Sequence, residues 1–350
     1  MEWKNALATV GLVLLCFFGI PLHLDTTNEK ESKHLFNDYI KTFNKSYGNN
    51  SEEYKLRLSL FQASLKRIEE MNNLKTHNNS ATYGLTKFSD MSPDEFLRNH
   101  LQPELHKHVL KRTLKSSPNL VIRQHKKVKK RAILPDKIDW RDKKIITPVK
   151  NQKDCGACWA FSTVETVESM HAVKTGILKP LSMQQVIDCA GKGNKGCEGG
   201  DTCSALDWMM TNNIPLVTEK EYPLTWVTGI CPTKMAAVGV HVADYSCNTF
   251  IGNEELMLTL MAEHGPLVAA VNAINWQNYV SGVIQFHCPG GPTSVNHAVQ
   301  IVGYDKTAEV PHYIVRNSWG PDYGDKGYLY IAIGGDICGI STEVSAVDVI

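Results

Sequence analysis

The cysteines are segregated, and that segregation constrains the fold more than any other feature of the chain. Ten occur: Cys16, then none until Cys155, Cys158, Cys189, Cys197, Cys203, Cys231, Cys247, Cys288 and Cys338. Thiols pair stably only in an oxidising compartment, and the N-terminus reads as an export signal. Lys4 supplies a positive charge ahead of the apolar stretch Ala6 to Ile20, which falls short of the roughly 20 apolar residues that a bilayer span needs. The expected organisation is a signal peptide at 1–24, a cysteine-free charged segment at 25–131 and a crosslinked domain at 132–350. Apolar residues at 43% and charged residues at 21% suit a packed globular protein. A net charge of +1 gives no reason to expect a nucleic-acid partner.

The first segment carries helical periodicity over Glu31 to Tyr47 and Glu53 to Leu74. In the second helix Glu53, Arg57, Phe61, Ser64, Ile68 and Asn72 fall on one stripe, with Glu53 and Arg57 ordered as a stabilising pair. From Leu101 to Arg131 ten Lys or Arg face one acidic residue, a pattern that reads as a solvated linker or, at Lys126 to Arg131, as a cleavage or interaction site. Asn44, Asn49 and Asn78 are N-glycosylation acceptors, each followed two residues on by Ser.

The second segment carries the chemistry. Small residues precede Cys158, and from there to Lys174 the pattern is helical, with Gly176 as C-cap. A cysteine at a helix N-terminus is held toward the thiolate that attacks carbonyl carbon. His297 to Tyr304 and Tyr313 to Asn317 read as the strands of a hairpin. If Tyr304 lies opposite Val310, His297 faces Asn317, and an amide oxygen can hold the imidazole in one tautomer so that it takes the thiol proton.

These motifs resemble the papain family of cysteine proteases: Cys155-Gly156-Ala157-Cys158-Trp159 around the nucleophile, Asn296-His297-Ala298 around the base, and Asn317-Ser318-Trp319-Gly320. The helical stripe, with Ser64 in place of Asn, and Gly84-Leu85-Thr86-Lys87-Phe88-Ser89-Asp90 resemble the family's inhibitory propeptide. The resemblance implies an α+β fold of two lobes, one helical and one β-barrel-like, preceded by a small helical propeptide that crosses the cleft in reverse. It implies Cys158, His297 and Asn317 as catalytic residues, with Gln152 as a donor to the oxyanion. Gly200 would hold substrate backbone, and Trp319 would shield the His297–Asn317 bond. Asp201, Thr202, Ala270 and Glu343 would surround the main specificity pocket. Glu343 would accept a basic residue there, unless it is an exposed surface carboxylate.

The resemblance further implies Cys155–Cys197, Cys189–Cys231 and Cys288–Cys338 as disulfides, and leaves Cys203 and Cys247 open between a fourth bridge and free thiols. Tyr323 stands where relatives carry a second Trp. The lack of an exopeptidase insertion between Cys197 and Cys231 implies an endopeptidase. No cofactor or metal is implied, since the remaining Cys and His lack zinc-site spacing. The expected partners are protein or peptide substrates and the chain's own propeptide, for a monomer in the lysosome or secreted. The rival readings are a catalytically silent binding homologue and a transglutaminase-type acyltransferase.

Overall fold

The computed structural model of the chain describes residues 31–48, 51–115, 134–233, 238–286 and 288–350. The signal segment, Asn49, the cluster Lys126 to Arg131 and the 131/132 boundary lie outside the described residues.

Aromatic spacing builds the propeptide globule. Helix α1 (31–42) turns Phe36 and Tyr39 against Tyr54, Leu58 and Phe61 of α2 (Glu52–Asn72), with the Phe36 and Phe61 ring centroids 5.2 Å apart. The first helix stops short of the expected Tyr47, and Asn44 just beyond it takes a left-handed conformation (φ 50°). Helix α2 begins where the Ser51 side chain accepts from Tyr54 N–H and Glu52 and Glu53 complement the helix dipole. Along its stripe Phe61 and Ser64 are buried, Arg57 bridges to Glu95 at 2.7 Å, and the Asn72 amide bonds both backbone groups of Tyr83 in β1 (Thr82–Tyr83). Asp90 is buried against Lys45 and Tyr47. Helix α3 (Pro93–His100) starts from the Ser92 cap.

Helix α4 (Leu105–Lys115) corrects the linker reading of the basic stretch, because its first part folds as a helix with Leu105 and Val109 buried. Apolar residues on one face outweighed the charges on the other. The segment still contains the basic cluster at its far end, outside the described residues.

The crosslinked domain begins with β2 (Lys137–Asp139) and then α5 (Cys158–Thr175), which ends at Gly176 in the left-handed conformation (φ 74°). With α6 (Met183–Cys189) and α7 (Thr202–Thr211), α5 forms the helical lobe, whose core includes Trp159, Phe161, Val164, Met183, Leu206 and Met209. The second lobe adds β3 (Val242–Asn248), α8 (Glu254–Glu263), β4 (Leu267–Val271), β5 (Tyr279–Ser281), β6 (Val283–Ile284), β7 (His297–Asp305), β8 (His312–Arg316), β9 (Tyr328–Ala332) and β10 (Glu343–Val349). An eight-stranded sheet runs β3-β10-β4-β7-β8-β9-β6, with β2 also paired to β7. Every residue of β7 is buried, as a central strand covered on both faces requires. Strand β1 of the propeptide pairs antiparallel with β5, so the two parts of the chain share a ladder.

Four disulfides crosslink the domain: Cys155–Cys197, Cys189–Cys231, Cys288–Cys338 and Cys203–Cys247. The pair that the sequence left open is therefore a bridge, joining α7 to β3. Among the described residues the one free cysteine is Cys158, and no helix is long and apolar enough to cross a membrane.

Phe61 is fully buried in a small aromatic core that joins α1 to α2. Replacing it with Ala should cost about 3–5 kcal/mol and melt the propeptide globule ahead of the protease domain. Calorimetry of the precursor checks this: an early transition should appear in Phe61→Ala, and a single unshifted transition would show that the cluster is not what holds the globule.

Candidate active site

Cys158 is the first residue of α5, so its sulfur lies where the helix leaves amide N–H groups without intrahelical partners. The nearby backbone amides of Ala298, Trp159 and Cys158 favour its charged form. Ala298 follows His297 at the start of β7, which brings the histidine strand to the head of the helix.

His297 Nε2 is 2.8 Å from Asn317 Oδ1, and the same oxygen accepts from Ser318 N–H at 2.8 Å. An oxygen that only accepts makes Nε2 the donor, so the imidazole carries its proton there. Nδ1 makes no hydrogen bond and keeps a free lone pair. The hairpin register differs from the simple expectation. Tyr304 pairs with Tyr313 rather than Val310, and a bulge between Ile301 and Gly303 leaves Gln300 opposite Arg316. Asn317 therefore leaves β8 two positions short of facing His297, and its side chain reaches back to close the gap. Trp319 covers this bond, its ring centroid 4.9 Å from that of His297, and Trp276 meets the imidazole edge-on from another side.

Gln152 is buried and held from both ends: Oε1 accepts from Ser318 Oγ at 2.5 Å, and Nε2 donates to Cys155 O at 3.0 Å. The Nε2 group also donates to the carbonyl of His100, at 3.3 Å. A propeptide carbonyl thus stands beside the donor that the resemblance assigns to the oxyanion.

The propeptide occupies the cleft in detail that the sequence reading missed. Gln102 Nε2 donates to Cys158 Sγ at 2.9 Å, while Gln102 Oε1 accepts from Gly200 N–H at 3.1 Å and Gln102 N–H donates to Asn296 O at 2.6 Å. One side chain bridges the nucleophile and the backbone expected to hold substrate. Gly200 is needed for close approach, since a Cβ there would stand 2.5 Å from the Trp159 ring. Buried under the propeptide, the Cys158 thiol is pushed up to about 12 and His297 down to about 4, desolvation being the main cause of each. Both groups are neutral in the precursor, so the nucleophile is quenched as well as covered.

Farther along, Leu105 and Val109 of α4 pack on Ala270 and Val295, and Arg112 ends between two carboxylates. Its Nη1 and Nη2 donate to Asp201 at 2.7 and 2.5 Å, and its Nε and Nη2 donate to Glu343 at 2.7 and 2.6 Å. The Glu343 and Asp201 side chains are 7% and 0% exposed, which removes the surface reading of Glu343. Burial pushes Glu343 up to about 7, with Arg112 pulling it down and Asp201 adding to the rise, whereas Arg112 and the Ser204 amide hold Asp201 low. Thr202, also buried, opens α7 beside Asp201. Tyr323 lies under the propeptide's Phe88 and Trp319, and its hydroxyl donates to Trp276 O at 2.8 Å. Gln102 and Arg112 had no motif to mark them; Arg112 was one basic residue among ten. Of the glycosylation acceptors, Asn44 and Asn78 lie on turns of the propeptide.

Residues 134–347 match the papain family cysteine protease domain, and residues 36–96 match the cathepsin propeptide inhibitor domain. The chain belongs to the papain family, as a cysteine peptidase carrying an inhibitory propeptide. It is similar to human cathepsin O, with 40% identity over 289 residues covering 82% of this chain and 86% of that one. Among solved structures it is similar to the recombinant stem bromelain precursor at TM-score 0.73 and 32% identity, over 91% of this chain and 99% of that one. A digestive procathepsin L 3 of Tenebrio molitor larval midgut matches at TM-score 0.73 and 26% identity, over 91% and 99%. The propeptide is an intramolecular inhibitor, and the cathepsin relatives with the disulfides indicate the secretory and lysosomal route.

Removing Arg112 would leave two buried carboxylates without their cation, a change that costs about 3–5 kcal/mol in other buried pairs. Because Arg112 is partly exposed, the expected loss in propeptide affinity for Arg112→Ala is nearer 100-fold, or about 2.7 kcal/mol. Inhibition of the mature enzyme by the separate propeptide, wild type against variant, measures it. An inhibition constant within threefold would show that the clamp contributes little.

Proposed function

We propose that the chain is a zymogen of a cysteine endopeptidase in which Cys158, His297, Asn317 and Gln152 perform the reaction. The observation that carries this is the His297 hydrogen bond to Asn317 beside the head of α5, with Nδ1 left free. Once the propeptide leaves, His297 Nδ1 takes the Cys158 proton, and the helix N-terminus and imidazolium stabilise the thiolate. The thiolate attacks the scissile carbonyl, whose oxygen gains negative charge and is met by Gln152 Nε2 and the Cys158 amide. His297 then protonates the leaving amine, and a water activated by the same imidazole releases the acyl group.

The boundaries read from the sequence serve as the working division: signal at 1–24, propeptide to 131 and enzyme from 132. The basic residues ending at Arg131 suit a convertase or self-trimming at acid pH, and the cysteine bridges suit a lysosomal or secreted monomer. Glycans at Asn44, Asn49 and Asn78 would decorate the precursor alone. Arg112 lies between Asp201 and Glu343 as a basic substrate side chain would, which supports preference for a basic residue at the second position before the cut.

Two outcomes test the reading. Cys158→Ala should abolish peptidase activity while the precursor still folds, and activity within tenfold of wild type would overturn the mechanism. In the mature enzyme kcat/KM should favour Arg over Leu at the second position, and Glu343→Ala should erase that preference. An unchanged ratio would remove Glu343 from the pocket.

Acid release has its own expected sign. His100 is buried among Phe88 and Phe96, and burial holds it below its ordinary 6.5, the nearby Lys87 and Lys45 adding slightly and Asp154 opposing. A histidine lowered in the bound state favours binding fully above about 6.5 and loses that contribution as pH falls through its lowered value. Propeptide affinity should therefore weaken below about pH 6.5, and His100→Gln should flatten that slope. Measuring the inhibition constant from pH 7.5 to 4.5 decides it; identical slopes would clear His100 of the role.

A further inference from the structure

The two pocket carboxylates come from different elements. Asp201 is the N-cap of α7, its side chain accepting from Ser204 N–H, while Glu343 is the first residue of β10 and pairs with Ala270 of β4. In the precursor one guanidinium holds them together. When Arg112 leaves, the two carboxylates remain at the spacing of a single guanidinium with no cation between them, and above the pH at which Glu343 ionises they repel each other. Unopposed, that repulsion would drive the head of α7 away from β10.

The bridge between Cys203 and Cys247 lies at that junction. Cys203 is two residues after Asp201, in the first turn of α7. Its sulfur is 3.7 Å from Glu343 Oε1 and 3.4 Å from Ser345 Oγ. Cys247 Sγ is 3.3 Å from the same hydroxyl, and Cys247 is the register partner of Ser345 on β10. The crosslink therefore ties the helix carrying one carboxylate to the strand that is hydrogen-bonded alongside the other, and packs against the second carboxylate itself.

We propose that the Cys203–Cys247 disulfide is a positioning element of the specificity pocket, holding Asp201 and Glu343 at guanidinium spacing in the mature enzyme. This rests on the basic-residue reading of the pocket, and it adds that the selectivity depends on a covalent tie outside the pocket wall. Asp201 and Glu343 touch the substrate side chain, whereas the two sulfurs act through them. A crosslink that served only to stabilise the fold would support turnover of every substrate equally.

The experiment has two arms. In the first, mature wild type and Cys203→Ala/Cys247→Ala are compared on paired peptides with Arg or Leu at the second position. Displacement of the carboxylates by a fraction of an ångström should lower kcat/KM for Arg about tenfold, chiefly through KM, while Leu falls less than about threefold. An equal fall for both substrates would overturn the proposal. Neutralising one carboxylate removes the repulsion, so in an Asp201→Asn background loss of the bridge should change the Arg to Leu ratio less than about twofold.

The second arm uses the precursor and does not depend on substrate preference. Arg112→Ala is combined with the cysteine pair in a double-mutant cycle, read as the rate of propeptide release. If the bridge positions the carboxylates, Arg112→Ala should speed release about 100-fold with the bridge present and less than about tenfold without it. Additive effects would overturn the proposal. Should the wild-type enzyme show no preference for Arg, the substrate reading fails by itself and this cycle alone decides the role of the bridge. If the double Ala variant does not fold, Cys203→Val/Cys247→Ala, which refills part of the lost volume, is measured in both arms in the same way.

Discussion

The helix that begins at Cys158 has no solvent-facing side over most of its length, and the rest of the domain is arranged to permit that. Fourteen of its 18 residues are buried, including Glu165, Glu168, Ser162, Thr163, Thr166 and Ser169. Burying so many polar groups requires a partner for nearly every one. The second lobe and the segment leading into α5 supply several: Gln300 donates to Glu165 O and Ser169 Oγ, Arg316 pairs with Glu165 at 3.1 Å, and Thr147 donates to Glu168 at 2.5 Å. Arg316 is itself fully buried and also donates to Pro148 O at 2.7 Å. This polar seam fixes how the two lobes meet, and hence where β7 delivers His297 relative to the head of the helix.

Inhibition by the propeptide uses the same physics in reverse. The catalytic pair works only if charge separation between sulfur and imidazole is cheap, which requires water or oriented dipoles nearby. Covering the cleft with Leu101, Gln102 and α4 desolvates both groups and makes the neutral pair favourable. Binding is also secured away from the chemistry. A strand pair at β1 and β5, Lys87 on Asp322 and the Trp319 carbonyl, and the Arg112 clamp anchor the two sides of the crossing. These anchors flank a crossing that is itself hydrogen-bonded through Gln102 to Cys158, Gly200 and Asn296, so the segment is held over the sulfur from both sides and at its centre.

Much of this was legible in the chain because it is written in local patterns. A cysteine after small residues at the start of a helical run, a histidine opening an apolar strand and an asparagine closing the next one are short-range signals, as are the stripe on α2 and the Gly84 to Asp90 motif. The hairpin register was not legible, because a bulge at Val302 depends on how β7 lies between β4, β2 and β8. Nor was Arg112 distinguishable from its basic neighbours, since helical periodicity says which face is apolar but not which pocket that face meets.

The sequence by itself carried the contrast between a cysteine-free first part and a cysteine-rich second part, the family, and the motifs that hold Cys158, His297 and Asn317, because each is written in residue types at short separations. Only the tertiary structure decided that Cys203 joins Cys247, that Glu343 is buried beside Asp201, and that Gln102 and Arg112 fill the cleft. Those facts depend on distances between segments far apart in the chain, and such distances are set by packing rather than by any local preference.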